Sequence, residues 1–268
     1  MDVISALTLI LYVIAGWWGA TGLILYLVRR SGESFHRTLA LGSALAVLAL
    51  PALQASSRSA TTGGACIAFG AILVIWGWLE ISFLFGVVTG PRRTACDPGC
   101  HGLPRLRYAI EAILYHELAT IAAAAMVVAL TWHAPNSTGL WTFMLLWGMR
   151  ISAKLNLFLG VPNTGEIMLP AHLAYLGSFF RRRRLNVLFP ISMLVTTLLC
   201  LQLIGAASHA GNADFRGSES TLLATLASLA WLEHWMLVLP MRADTLWKFT
   251  RGAVARGAVT RAAPDPLL

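Results

Sequence analysis

The sequence predicts an all-α, polytopic membrane helix bundle of about seven spans, with the N-terminus outside and the C-terminus in the cytoplasm. Three observations predict it. Of 268 residues, 57% are hydrophobic and 12% charged, with a mean hydropathy of +0.69. A soluble domain carries about 25% charged residues, so this chain cannot coat a globule in water. Its apolar residues fall into stretches close to the roughly 20 that a helix needs to cross a bilayer core. Its basic residues concentrate in alternate loops. Together these exclude an ordinary soluble enzyme, a disordered chain and a free nucleic-acid-binding domain. Despite the net charge of +8, no nucleic-acid partner is expected; the partner that composition implies is the lipid bilayer. Four cysteines are too few for a disulfide scaffold.

The predicted spans are 3–28, 38–53, 65–88, 108–130, 139–161, 187–205 and 220–240, within a single integral membrane domain covering 1–268 and ending in a basic cytoplasmic tail, 241–268. The first run follows Met1-Asp2 directly, is too long for a signal-peptide core and ends at Arg29-Arg30, so it is expected to remain as a helix. The second is short and contains Pro51. Arg29, Arg30 and Arg37 follow span one, and Arg92, Arg93, Arg105 and Arg107 follow span three. Arg181–Arg184 follow span five, and Arg242, Lys248, Arg251, Arg256 and Arg261 follow span seven. The alternate loops hold only Arg58 and Arg216. The positive-inside rule then places the odd-numbered loops and the C-terminus in the cytoplasm and the N-terminus outside. The Arg181–Arg184 run reads either as a topology anchor or as a site for anionic lipid or an acidic protein. Trp17, Trp18, Trp132, Trp141 and Trp247 stand at span ends, as interfacial aromatics do.

Ionisable groups at membrane depth are costly unless paired, hydrated or liganded. The spans contain Glu80, Glu111, His116, Glu117, Arg150, Lys154, Glu233 and His234, with the polar Asn156. At 1.5 Å rise per residue, Glu80 and His116 lie about 12 Å, Lys154 and Glu233 about 10 Å, and Arg150 about 15 Å from the cytoplasmic end of their spans; Glu111 is shallower, about 4–5 Å. Four helices therefore deliver polar groups to one layer, which is expected to be a shared interior cavity. Arg150 and Lys154 share a helix face. His116 and Glu117 can border one cavity, as can Glu233 and His234, whereas Glu111 points away from Glu117. Three readings stay open for this set. One is a buried ion-pair network with no metal. A second is a metal site using Glu80, His116, Glu117, Glu233 and His234, against which the chain offers no Glu-x-x-His motif and places two cations nearby. The third is a pigment, lipid or proton site, in which His116 or His234 could ligate a magnesium tetrapyrrole.

Two loops carry further candidates. Cys96-Asp-Pro-Gly-Cys100-His101 can bring two sulfurs together across a Pro-Gly turn. It is half a zinc set with no second half, and is read as a free cytosolic thiol pair. After span five, Asn163 and Gly165 suit a turn and Pro170 can start a short helix at about 171–180. That helix is expected at the interface, with Leu173, Leu176 and Phe180 facing lipid, and Glu166 and His172 able to reach the polar layer from below. No phosphate loop, H-E-x-x-H or G-x-S-x-G motif is present.

Several of these residues form long, unusual strings. They are Trp76-Gly77-Trp78-Leu79-Glu80, Thr89-Gly-Pro-Arg-Arg93, Tyr115-His116-Glu117-Leu118-Ala119 and Leu140-Trp-Thr-Phe143. Met149-Arg150-Ile-Ser-Ala-Lys154-Leu-Asn156, Gly160-Val-Pro-Asn163 and Glu233-His234-Trp235 through Leu239-Pro240 follow. In them the chain resembles the photosynthetic complex assembly protein 2 family, PuhE type, of purple phototrophic bacteria, over roughly spans three to seven. The loop Thr164-Gly-Glu-Ile-Met168 departs from the family pattern. The resemblance implies a protein of the inner, intracytoplasmic membrane that helps build the reaction centre or light-harvesting complex. The implied partners are subunits of those complexes and other assembly factors, with bacteriochlorophyll as a candidate ligand. It supplies no catalytic residues. A non-enzymatic assembly factor is therefore expected, the alternative being an intramembrane metal-dependent enzyme acting on a tetrapyrrole or isoprenoid.

Overall fold

The computed structural model describes residues 3–30, 35–210 and 215–239. The basic tail 241–268 with Trp247, and the span end at Pro240, lie outside the described residues. Among these, every regular element is helical: α1 (Val3–Arg30), α2 (Phe35–Ser57), α3 (Thr62–Leu84), α4 (Gly102–Leu130), α5 (Thr138–Leu159), α6 (Leu188–His209) and α7 (Phe215–Met236), with 3-10 segments at Glu166–Met168 and Ala171–Phe179. Five of them, α1, α2, α3, α4 and α6, are long and apolar enough to cross a membrane. The other two, α5 and α7, are diluted by Arg150 and Lys154 and by Arg216, Glu219 and Glu233.

The bundle is built around α3. It touches α1, α2, α4, α5 and α7, and it is apolar on every side, as a helix with neighbours all round must be. Small residues allow the close approach. Ala65 and Ala68 are fully buried, and Ala71 nearly so, alongside Phe69 and Ile72. On α5, a Cβ at Gly139 would come within 2.5 Å of Leu53 of α2. The outer helices show the complementary pattern. Leu41, Leu45 and Leu48 of α2, and Leu194, Leu198 and Leu201 of α6, are exposed at helical spacing, which is the face a bilayer would cover.

Helix ends follow local hydrogen bonding. Thr61 caps α3 by accepting the Gly64 N–H at 3.1 Å. The second helix continues past Pro51 to Ser57, beyond the predicted end at 53. Buried Asn136 secures that end: its backbone N–H donates to Ser57 O, and its side-chain amide to Ser56 O and Ser59 O. At the other side of the bundle the 3-10 segment Ala171–Phe179 does not face lipid. Leu173, Leu176 and Phe179 are buried against Phe83 and Ala112. A ten-residue α-helix lying on the surface was expected; a 3-10 helix docked on α3 and α4 is found, because its apolar residues at three-residue spacing line up on one edge of a 3-10 turn.

Candidate functional site

The site is organised by α5, whose two faces differ. Residues 150 and 154 share one face and 152 and 156 share another, about 200° round the helix. The first face is charged. Arg150 donates from Nη2 to Glu80 Oε2 of α3 at 2.5 Å. Lys154 donates from Nζ to Glu117 Oε1 of α4. Two ion pairs thus fasten α5 to two different helices. His116 is 2% exposed, lies within electrostatic range of Lys154 and Arg150, and stacks at a tilt on Phe83 with ring centroids 4.7 Å apart. Glu233 of α7 is within electrostatic range of Arg150 and Glu80 but makes no ion pair with a described residue. Glu80 Oε1, Arg150 Nε and His116 Nδ1 are buried without a hydrogen-bond partner among the described residues.

The charged layer is closed by a strap, residues 89–93, that crosses α4. Thr89 O accepts the backbone N–H of His116 at 3.0 Å, and the Arg92 N–H donates to Glu111 O at 3.4 Å. Between them Gly90 sits so close that a Cβ would lie 2.0 Å from Glu111 O and 2.6 Å from the Ala112 carbonyl carbon. Only glycine fits, and the Thr-Gly-Pro string owes its glycine to this contact.

The second face of α5 is neutral. His234 sets Nδ1 2.9 Å from Ala230 O and Nε2 2.9 Å from Ser152 Oγ. Ser152 Oγ is 3.1 Å from Ser192 Oγ of α6. Asn156, fully buried, donates from Nδ2 to Ser152 O and Ser192 Oγ, both at 3.0 Å. Asn186 donates in turn to Asn156 Oδ1 at 3.1 Å and Gly160 O at 2.9 Å, and accepts the Phe189 N–H of the first turn of α6 at 3.0 Å.

The structure thus brings Glu80, Glu117, Arg150, Lys154 and His116 into one neighbourhood, leaves Glu233 exposed on α7, and sends His234 and Asn156 to another. Glu111 faces outward to Arg107 at 2.7 Å. Among the described residues no three of His, Cys, Asp and Glu gather closely enough to hold a metal. Glu80 and Glu117 already answer a cation of the chain, and both nitrogens of His234 are engaged. A groove of about 980 Å³ runs between α1, α6 and α7, past Ile10, Ile14, Cys200, Leu201, Thr225 and Trp231. None of the charged residues lines it.

The loop candidates have local tasks. Asn163 holds the end of α7: its backbone N–H donates to Leu237 O at 3.0 Å, and its amide donates to Met236 O at 2.9 Å and to Leu239 O. Glu166 accepts from Thr164 at 3.0 Å and meets Arg182 at 3.4 Å. The Nε2 of His172 lies 3.0 Å from Leu84 O at the end of α3. Neither Glu166 nor His172 shows a contact with the charged layer. Cys96 and Cys100 are bonded to each other, which corrects the expectation of free thiols. The turn between them, with Gly99 at φ 81° and the Cys100 N–H on Asp97 O at 3.0 Å, folds the chain back on itself. His101 turns Nδ1 to Gly99 O, so the zinc half-set is not assembled.

Sequence reasoning missed Gly90, Asn136, Ser152, Asn186 and Ser192. Two of these had a readable signal. Asn186, three residues before Phe189, has N-cap spacing, and Asn136 precedes the start of α5. The serines had none, because a lone hydroxyl in an apolar helix is ordinary.

Residues 3–257 match the family described as "Protein of unknown function (DUF3623)". The chain belongs to this family. Within the range of similar proteins is one from Rhodobacter capsulatus described as an uncharacterized 30.4 kDa protein in the puhA 5′ region, 40% identical over 255 residues, which cover 93% of this chain and 92% of the relative. No solved structure matches.

Proposed function

We propose that this DUF3623 protein is a PuhE-type, non-enzymatic assembly factor for the photosynthetic reaction centre or its light-harvesting complex, embedded in the bacterial inner membrane. One observation carries the reading: the relative beside puhA, a gene of a photosynthesis cluster, aligns over nearly the whole length of both chains. The geometry supports a scaffold. Glu80 and Glu117, the carboxylates a metal centre would need, are answered by Arg150 and Lys154, and they join α3, α4 and α5 into one body for subunits to dock on. Histidine-ligated bacteriochlorophyll does not fit these residues. An axial ligand needs a nitrogen lone pair, which lies in the plane of the imidazole, and open space in front of it for the macrocycle. Both nitrogens of His234 are engaged, and Nδ1 of His116, although without a partner among the described residues, is buried. The proposed role is therefore mechanical, with the pigment delivered to the complex by other components.

Deletion in a phototrophic host tests it. Reaction-centre and antenna absorbance of isolated membranes is expected to fall, and to return with the wild-type gene. Undiminished absorbance at matched growth would sink the proposal. The protein purified from the same host is expected to be colourless.

The proposed orientation puts the basic loops in the cytoplasm. A disulfide between Cys96 and Cys100 runs against that placement, because cytosolic disulfides are rare; the charge asymmetry is the stronger argument for it. With Arg58→Cys in the α2–α3 turn, an impermeant maleimide should label intact spheroplast exteriors. Labelling only after membrane rupture would reverse the topology.

A further inference from the structure

The basic run at 181–184 is not uniform. Arg182 turns to Glu166 at 3.4 Å. Arg181 and Arg183 make no ion pair with a carboxylate among the described residues; both are neighbours of Arg105 instead.

All three arginines are held in place. Arg105 is 4% exposed. Its guanidinium donates to Phe158 O through both terminal nitrogens at 3.2 Å and to Phe179 O, and lies 4.1 Å from the centre of the Phe158 ring. It thereby answers carbonyls left open where α5 and the 3-10 segment end. The backbone fixes Arg181: its N–H donates to Leu157 O at 3.0 Å, and its carbonyl accepts the Val161 N–H at 3.1 Å. Arg183 runs along Gly160, its side-chain carbons 2.9–3.1 Å from where a Cβ would stand. Gly160 has φ 123°, so glycine is required there twice over, for the backbone and for the arginine.

Three like charges held side by side repel unless an anion sits among them. The surroundings indicate what kind of anion. Leu103 and Leu106 beside Arg105, and Leu185 and Val187 beyond Arg183, are exposed apolar side chains. Charge next to uncovered hydrocarbon suits an amphiphile better than an acidic protein surface, which would leave those side chains wet.

We propose that Arg181 and Arg183, positioned by Arg105 and Gly160 at the end of α5, bind the phosphate of an anionic phospholipid headgroup, with the adjoining apolar side chains meeting its acyl chains. The full chain, reconstituted in equimolar phosphatidylcholine and phosphatidylglycerol vesicles and then extracted, can be examined by native mass spectrometry. Wild type should retain phosphatidylglycerol over phosphatidylcholine. R181Q with R183Q should lose that preference by about fivefold for each arginine removed, while R182Q, whose guanidinium answers Glu166, keeps it. Should the first double variant fail to fold, R181K with R183K and a salt titration of wild type serve instead: the preference is expected to survive the lysines and to fall with salt. An unchanged preference in R181Q with R183Q, or one insensitive to salt, overturns the proposal and leaves the arginines to an acidic protein. Displacement of phosphatidylglycerol by inorganic phosphate at equal concentration overturns it in favour of the free ion.

Discussion

The two faces of α5 solve the same problem differently. Toward α3 and α4, Arg150 and Lys154 meet Glu80 and Glu117 as charges. Toward α6 and α7, Ser152 and Asn156 join His234, Ser192 and Asn186 through neutral hydrogen bonds. The charged face ties helices with two strong, single contacts, each useless without its partner. The neutral face spreads the task over five side chains, each replaceable in part by the others. A helix that carries both can be held rigidly on one side and repacked on the other.

Removing one charge should therefore do the most harm. Glu80→Ala leaves the Arg150 guanidinium without its carboxylate and is expected to lower unfolding stability by about 3 kcal/mol, read by denaturant titration in detergent. Glu80→Leu combined with Arg150→Met should recover most of that loss, since it removes both charges together. A double variant as weak as the single one would show that the pair is more than mutual neutralisation. On the neutral face, Asn186→Ala orphans Gly160 O and the Phe189 N–H at once and is expected to cost about 2 kcal/mol. A loss equal to that of Glu80→Ala would erase the distinction between the faces. Asn163→Ala, which frees the carbonyls at the end of α7, is expected to cost about 1 kcal/mol, seen as faster hydrogen exchange at residues 237–239. At the bottom of the scale, Arg182→Ala breaks an exposed pair with Glu166 and should change thermal stability by less than about 1 kcal/mol.

Much of this fold was legible in the sequence. Hydropathy located a helix at each of the seven apolar stretches, five of them long and apolar enough to cross a membrane. That Arg150 and Lys154 share one face of their helix was legible too, since the rotation per residue is fixed. Their pairing was not. Periodicity tells which residues share a face of one helix, but not which neighbour that face meets, so His234 was grouped with Glu233 and lies on the other side of α5. The end of α2, which runs on to Ser57, is held by a distant residue, Asn136. The strap was hidden for a similar reason. Gly90 next to Pro91 reads as an ordinary turn, and its purpose appears only where α4 passes beneath it.

The members of the two ion pairs follow one another along the chain in a fixed order. Both acids, on α3 and α4, are translated before either base on α5. A nascent chain that ends ahead of residue 150 holds two carboxylates whose partners have not yet been made. Arrival of α5 supplies both cations in one step. The helix that carries both bases thus follows the two helices that carry their partners.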